Sequence, residues 1–411
     1  MTTAARPSTG WWPPTAMHRL ALLGAARGGA SLLGFVGVTL VAHALTPDEL
    51  GRWSLALAVQ GYALHAGEFG LRSVVTTEAR SAGKLLPALL RCYLGLRLAL
   101  SLLALAAVTL ATALASPEQV WLIALVTLSI LPMALQLDWL ALADERPGLA
   151  ALVLVLRPLM FLGLIGLCLT ALTPTTLALC YLASWTVTAV VSWAALRRSG
   201  QEHDGRLPTA RGMLRRGAAL AFVTLTNQAQ LSADLLVIGW SLGAAPAGDY
   251  FLASQILVAG LMFANASGQL ALARLPELLG KPGRFVDCLA TDARRLLWAA
   301  CGIAAGLALL GPALLPTLFG PEHTEASQAL LWLLPWFVLQ HPTTLLQAAL
   351  TAAHLERAVV WANIVMLLAL GSGLALAAGG ATLGGFAVAR SVAELARLAC
   401  LYLAMRLKLA A

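Results

Sequence analysis

The stretch LALLGAARGGASLLGFVGVTLVAHAL, Leu20 to Leu45, carries one charged side chain, Arg27, and runs straight into the turn TPDELG, Thr46 to Gly51. A helix needs about 20 predominantly apolar residues to cross the hydrocarbon core of a bilayer. This run meets that length and is too long for the apolar core of a signal peptide. It is therefore expected to be a first membrane helix, preceded by a short tail in which Met1 to Pro14 hold only Arg6.

The same alternation of apolar run and turn repeats to the end of the chain. Of the 411 residues, 59% are hydrophobic and 11% charged, against roughly 25% charged in an average soluble domain. Turn-forming and charged clusters divide the chain into spans expected near 20–45, 50–79, 85–115, 119–143, 148–172 and 175–196. A second six follow near 213–242, 247–273, 292–318, 326–353, 357–379 and 382–405. The expected fold is all-α, a polytopic membrane protein of about twelve helices in two six-helix lobes. The expected organisation is a cytoplasmic tail 1–19, an N-lobe 20–196, a basic cytoplasmic linker 197–212, a C-lobe 213–405 and a tail 406–411.

Charge sets the expected orientation. The turns TPDELG, SPEQ, TP, GAAPAGD, FGPEHTE and GGATLGG and their flanks hold one basic residue, Arg52, whereas Arg72, Arg80, Lys84 and Arg91, then Arg197 to Arg216, then Arg274 to Arg295 cluster at the other ends. Counted this way, 25 of the 27 Lys and Arg belong in or toward the second set, leaving Arg52 and Arg390. By the positive-inside rule the basic side is cytoplasmic, with both termini inside a bacterial inner membrane. The net charge of +8 then needs no nucleic acid as partner. The linker RRSGQEHDGRLPTARGMLRR reads as a topology anchor and tether, or as a contact for anionic headgroups. The six cysteines fall outside any CxxC spacing and read as packing residues, with no metal, disulfide framework or cofactor implied.

The halves resemble each other at an offset near 200 to 211. Gly51-Arg52-Trp53-Ser54-Leu55-Ala56 corresponds to Gly248-Asp249-Tyr250-Phe251-Leu252-Ala253, and Leu135-Gln136 with Glu145-Arg146 corresponds to Leu346-Gln347 with Glu356-Arg357. Six spans precede the second copy, so the lobes share one orientation and a central pathway belongs at their interface.

Ionisable and amide side chains within the spans mark faces turned from lipid, where a charge is costly. Gly61, His65, Glu68 and Arg72 are spaced four, three and four apart, placing them on one helical face with Glu68 and Arg72 able to pair. This is either a closed ion pair or a cavity wall with two coupling candidates, His65 and Glu68. Asn227, Gln230 and Asp234 form a second stripe, with Asp234 a further coupling candidate. Gln340, Thr344, Gln347, Thr351 and His354 form a third, and Asn265 and Gln269 a fourth. Interhelical hydrogen bonds account for any single stripe, and four together fit a hydrated central cavity. Arg27 lies about a third of the way into its span, either snorkelling or facing that cavity. With Arg72 and Arg274 it is a candidate for receiving an anionic group.

At this point the residues resemble the polysaccharide or O-antigen flippases of the multidrug/oligosaccharidyl-lipid/polysaccharide exporter superfamily. The resemblance rests on LTPDELGRWSLALAVQGYALHAGEFGLRSVVTTEA (Leu45 to Ala79) and NQAQLSADLLVIGWSLGAAPAGDYFLAS (Asn227 to Ser254). The stretches WLALADERPGLAALVLVLRPL (Trp139 to Leu159) and LLPTLFGPEHTEASQALLWLLP (Leu314 to Pro335) add to it. It implies a V-shaped pair of lobes that opens alternately to each side. The substrate it implies is an undecaprenyl-diphosphate-linked oligosaccharide repeat unit for O-antigen, capsule or exopolysaccharide. Glycosyltransferases and a polysaccharide polymerase would work beside it, with a proton or sodium gradient as driving force. Two other functions compete, a cation-coupled multidrug exporter of the same superfamily and a membrane-embedded glycan polymerase or ligase. The enzyme would need positioned acid, base or phosphate-binding groups, which the short outer turns supply poorly.

Overall fold

The computed structural model describes residues 14–82, 86–143, 146–195, 209–262, 264, 268, 282–380 and 382–409, and in these only helices and connecting turns occur. The first half holds α1 (Pro14–Ala44), α2 (Pro47–Glu68), α3 (Leu71–Ala82), α4 (Leu86–Ala115), α5 (Val120–Leu128), α6 (Ile130–Ala134), α7 (Asp138–Ala143), α8 (Pro147–Cys168) and α9 (Pro174–Ala195). The second half holds α10 (Ala210–Ser241), α11 (Ala244–Gly260), α12 (Pro282–Phe319), α13 (Thr324–Ala352), α14 (Glu356–Gly380) and α15 (Leu383–Leu409). With α2/α3 and α5–α7 each taken as one broken crossing, these are twelve crossings.

Two expected spans are broken. The second stops at Phe69 (φ 46°) and Gly70 (φ 66°), both left-handed, and a Cβ on Gly70 would lie 2.6 Å from the Gly217 carbonyl oxygen. The chain needs glycine there, because α10 crosses too closely for a side chain. The fourth is interrupted around Ser129 and again between Ala134 and Asp138. The ninth helix starts at Pro282, ten residues before its expected position near 292. Most of the linker, 196–208, lies outside the described residues.

Eight helices among the described residues are long and apolar enough to cross a bilayer by length and composition. The exceptions, α2, α10, α11 and α15, are short or carry charge; α2 and α11 are largely buried, while α15 turns its charged face inward and exposes Val388, Val392 and Leu395. The outward surface is apolar: Leu103, Leu110, Leu167, Leu309 and Leu376 are all exposed. Exposed tryptophans sit near the helix ends. Trp121 and Trp240 adjoin the SPEQ and GAAPAGD turns, and Trp298 and Trp361 follow Arg294–Arg295 and Glu356–Arg357. Amphipathic rings at both interfaces and a leucine-rich band between them fit a multi-pass membrane protein.

The lobes meet along α2, which packs against α10 and α11. Thr46 starts α2 with a capping box, its hydroxyl accepting from Glu49 N and its own N donating to Glu49 Oε2. One turn later a Cβ on Gly51 would lie 1.7 Å from Ala244 O, while a Cβ on Gly248 would lie 2.8 Å from Pro47 O. The contacts are reciprocal: Gly51 matches Gly248 in the repeat, and Pro47 matches Ala244. Two equivalent surfaces pressed together in this way are the mark of a two-fold relation. The TPDELG and GAAPAGD turns therefore share one end of the bundle, as the repeat implies.

Candidate functional site

The deepest polar cluster is built on α15. Arg390, Glu394 and Arg397 are spaced four and three apart, so one helical face carries all three into the interior, and each is at most 1% exposed. Facing them, α10 supplies Gln230 and Asp234, α11 Tyr250, and α13 Trp336, Gln340 and Gln347. The Arg390 guanidinium lies 3.7 Å above the Trp336 ring centroid and donates to Asp234 Oδ2 at 2.9 Å. Tyr250 also donates to that oxygen, at 2.5 Å. Arg397 donates to Gln230 Oε1 at 2.8 Å and to Gln347 Oε1 at 2.6 Å, with Glu394 Oε2 3.8 Å away. Gln230 Nε2 donates to Glu394, and the Gln340 amide nitrogen, in the orientation that satisfies its neighbours, donates to Glu394 Oε1 at 2.9 Å.

Two guanidinium groups thus face two carboxylates, and the cluster is electrically balanced. A buried pair of this kind contributes little net stability when intact but is costly to break on one side. Its geometry ties α10, α11, α13 and α15 into one rigid body. Sequence reasoning names Gln230, Asp234, Gln340 and Gln347 but misses Arg390, Glu394 and Arg397, and it counts Arg397 toward the basic end. The available signal is their shared face inside an apolar run.

The other expected site residues lie elsewhere. Thr344 returns its hydroxyl to Gln340 O of its own helix, and Asn227 is half-buried on α10. Arg27 is exposed on α1. His65 and Glu68 are half-buried on α2, where His65 Nδ1 has no hydrogen-bond partner among the described residues. Arg72 does not form its expected pair with Glu68; it pairs with Asp138 at the start of α7. The left-handed residues Phe69 and Gly70 end α2 between them, so the four-residue spacing no longer places the two on one face. Asn265, Gln269 and Arg274 lie outside the described residues.

The seam between lobes is lined differently at each level. Gly239 accommodates Leu55, Gly61 accommodates the Gln228 amide, and beyond the α2/α3 break Gly217 lies against Phe69 O. At the far end Arg216 of α10 pairs with Glu78 of α3. The lobes are thus in contact at both ends. An apolar cavity of about 70 Å³ lies mainly within the N-lobe, walled by Val41, Trp53, Leu57, Phe161 and Tyr181, with Phe251 its contribution from the C-lobe.

Known proteins share this architecture. The family described as "Polysaccharide biosynthesis protein" matches residues 19–273. The structure is similar to the lipid II flippase MurJ in an inward closed conformation, with a TM-score of 0.72 at 12% identity, covering 94% of this chain and 87% of that one. An inward-facing multidrug resistance MATE family transporter of the MOP superfamily gives 0.69 at 15%, covering 96% and 98%. A MOP superfamily transporter from Pyrococcus furiosus gives 0.57 at 14%, covering 96% and 93%. No curated protein sequence matches the chain significantly.

Proposed function

The chain belongs to the polysaccharide biosynthesis protein family, with the fold of the MOP superfamily transporters, and on that premise we propose that it flips a lipid-linked oligosaccharide across the bacterial inner membrane. The substrate class proposed is an undecaprenyl-diphosphate-linked repeat unit destined for O-antigen, capsule or exopolysaccharide. Glycosyltransferases would supply it and a polymerase would consume it. The observation that carries this reading is the seam: two rigid lobes touch through glycine-backbone contacts at one end and through the Gly70–Gly217 contact and the Arg216–Glu78 pair at the other. Separating either end alone exposes the interface to one side of the membrane, which is what alternating access requires. Flipping makes and breaks no bond, so it needs only this motion and a path for the polar headgroup.

A deletion strain is the test. It should accumulate the lipid-linked repeat unit in the cytoplasm-facing leaflet, out of reach of a glycan-specific lectin in spheroplasts, and lose the surface glycan. Normal surface glycan in that strain would reject the substrate class, and lost efflux of cationic dyes with intact glycan would favour the multidrug reading.

The basic end, holding the linker and both termini, is proposed to face the cytoplasm, because the turns at the opposite end are nearly free of Lys and Arg. A reporter inserted within 197–212 should be active only in its cytoplasmic form. Activity of a periplasmic reporter there would reverse the orientation.

A further inference from the structure

A second buried titratable pair lies at the seam, away from the α15 cluster. His323, 1% exposed, follows the turn made by Gly320 (φ 101°) between α12 and α13. Its Nδ1 is 2.7 Å from Asp249 Oδ1 on α11, and its Nε2 is 3.3 Å from the carbonyl oxygen of Ala42 on α1. The ring therefore joins the C-lobe, which supplies His323 and Asp249, to the N-lobe, which supplies Ala42.

The Ala42 carbonyl is open to this contact for a local reason. It is one of the last four carbonyls of α1, which have no partner within their own helix. The next amide along, Thr46 N, is taken by Glu49 Oε2 in the capping box of α2. The same helix end carries partial negative charge and favours a cation.

Both ring nitrogens thus face oxygen acceptors, and a neutral imidazole has only one N–H to offer. The contacts are satisfied by an imidazolium beside a carboxylate, or by a neutral ring donating to Ala42 while a protonated Asp249 donates to Nδ1. Either arrangement holds the same single proton, which belongs to the pair. We propose that His323 and Asp249 bind one proton at the lobe seam and that this proton holds the turn end of the transporter shut. Losing it leaves either Ala42 O facing a bare ring nitrogen or the Asp249 carboxylate facing one, and the lobes part there. This rests on the reading of the protein as an alternating-access transporter, and it makes the proton that closes the seam a coupling ion.

The other charged groups near the seam have their own positions. His43 is exposed and directs Nδ1 to Thr39 O, and Asp48 pairs with Arg52 at 2.8 Å. Glu49 is held in the capping box, while Glu322 and Glu325 flank His323 and are exposed. Asp249 is the carboxylate in contact with the ring. In the repeat it stands where the N-lobe has the exposed Arg52, so the device exists in one lobe only.

The test places spin labels at Glu118 and Glu322, exposed turn residues of the two lobes, in full-length protein with its native cysteines replaced, in nanodiscs. The interlabel distance is read between about pH 5.5 and pH 8.5. One short distance is expected at the acid end, with a longer population growing as pH rises. His323→Gln should abolish this response, and His43→Gln should preserve it. Should His323→Gln fail to fold, Asp249→Asn decides: its amide can donate to Nδ1 as a protonated Asp249 would, so the short distance is expected to persist across the whole pH range. A wild-type distance unchanged across the range, or an undiminished response in the variant of the pair that folds, overturns the proposal. The readout needs no glycan, so the latch and the substrate assignment fail separately: a pH response persists whatever the substrate, and glycan export with a pH-blind seam refutes only the latch.

Discussion

Asp234→Ala is expected to lower the stability of the folded protein by about 3–5 kcal/mol, the usual cost of stripping one partner from a buried ion pair. The reason is the residue it leaves behind. Arg390 is 1% exposed and Asp234 Oδ2 is its carboxylate contact; Arg390 Nε and Nη2 already have no hydrogen-bond partner among the described residues. Tyr250 would lose its acceptor at the same time. The charge cannot reach water without dismantling the packing of α15 on α13, where Trp336 lies under the guanidinium. Removing both charges should be far milder. Asp234→Ala with Arg390→Met replaces the pair by apolar groups, and the double-mutant cycle is expected to show strong coupling, the double variant losing far less stability than the sum of the two single ones. Thermal unfolding of the detergent-purified protein measures it. If Asp234 instead exchanged a driving cation with bulk solvent, the single variant would unfold where the wild type does and lose only its gradient dependence. That result would refute the clamp and restore Asp234 as a coupling residue.

Architecture was legible in the sequence because it depends on composition and on charge counted over whole loops, quantities that need no partner. The twelve crossings, the shared end of the TPDELG and GAAPAGD turns, and the polar faces of α10 and α13 all follow from runs and spacings. Pairings were less legible because they depend on what another segment brings. Arg72 and Glu68 sit four apart in sequence, yet two left-handed residues turn the chain between them, and Arg72 meets Asp138, 66 residues on. Arg390, Glu394 and Arg397 were hidden for another reason: Arg397 was counted as a topology signal and Arg390 set aside as an exception to it, so the four- and three-residue spacing that places them with Glu394 on one face went unread. His323 and Asp249 fell in turns that read as bare connectors. Only the packing of those turns against the end of α1 reveals a buried pair.

The seam gives the other large effect, and its sign is informative. Within a helix, Gly→Ala ordinarily stabilises by about 0.5–1 kcal/mol, because alanine loses less backbone freedom on folding. Gly95, exposed on α4 with nothing within 4 Å of the place a methyl would occupy, should show that gain. Gly51→Ala should do the reverse. Its methyl would lie 1.7 Å from Ala244 O and 2.3 Å from Ala244 C, both backbone atoms that no rotamer change can move aside. Overpacking of a well-packed site commonly costs about 1–3 kcal/mol, and here the strain has one available relief, withdrawal of α11 from α2. The substitution is therefore expected to lengthen the distance between labels at Glu118 and Glu322 at every pH, because it acts by steric contact and not through a titrating group. Gly248→Ala should act in the same direction but more weakly, since its methyl would meet Pro47 O at 2.8 Å. The order Gly51 beyond Gly248, with Gly95 of opposite sign, is what a reciprocal glycine seam requires. A Gly51→Ala protein as stable as the wild type, with the label distance unchanged, would show that the two lobes do not close on each other through these turns.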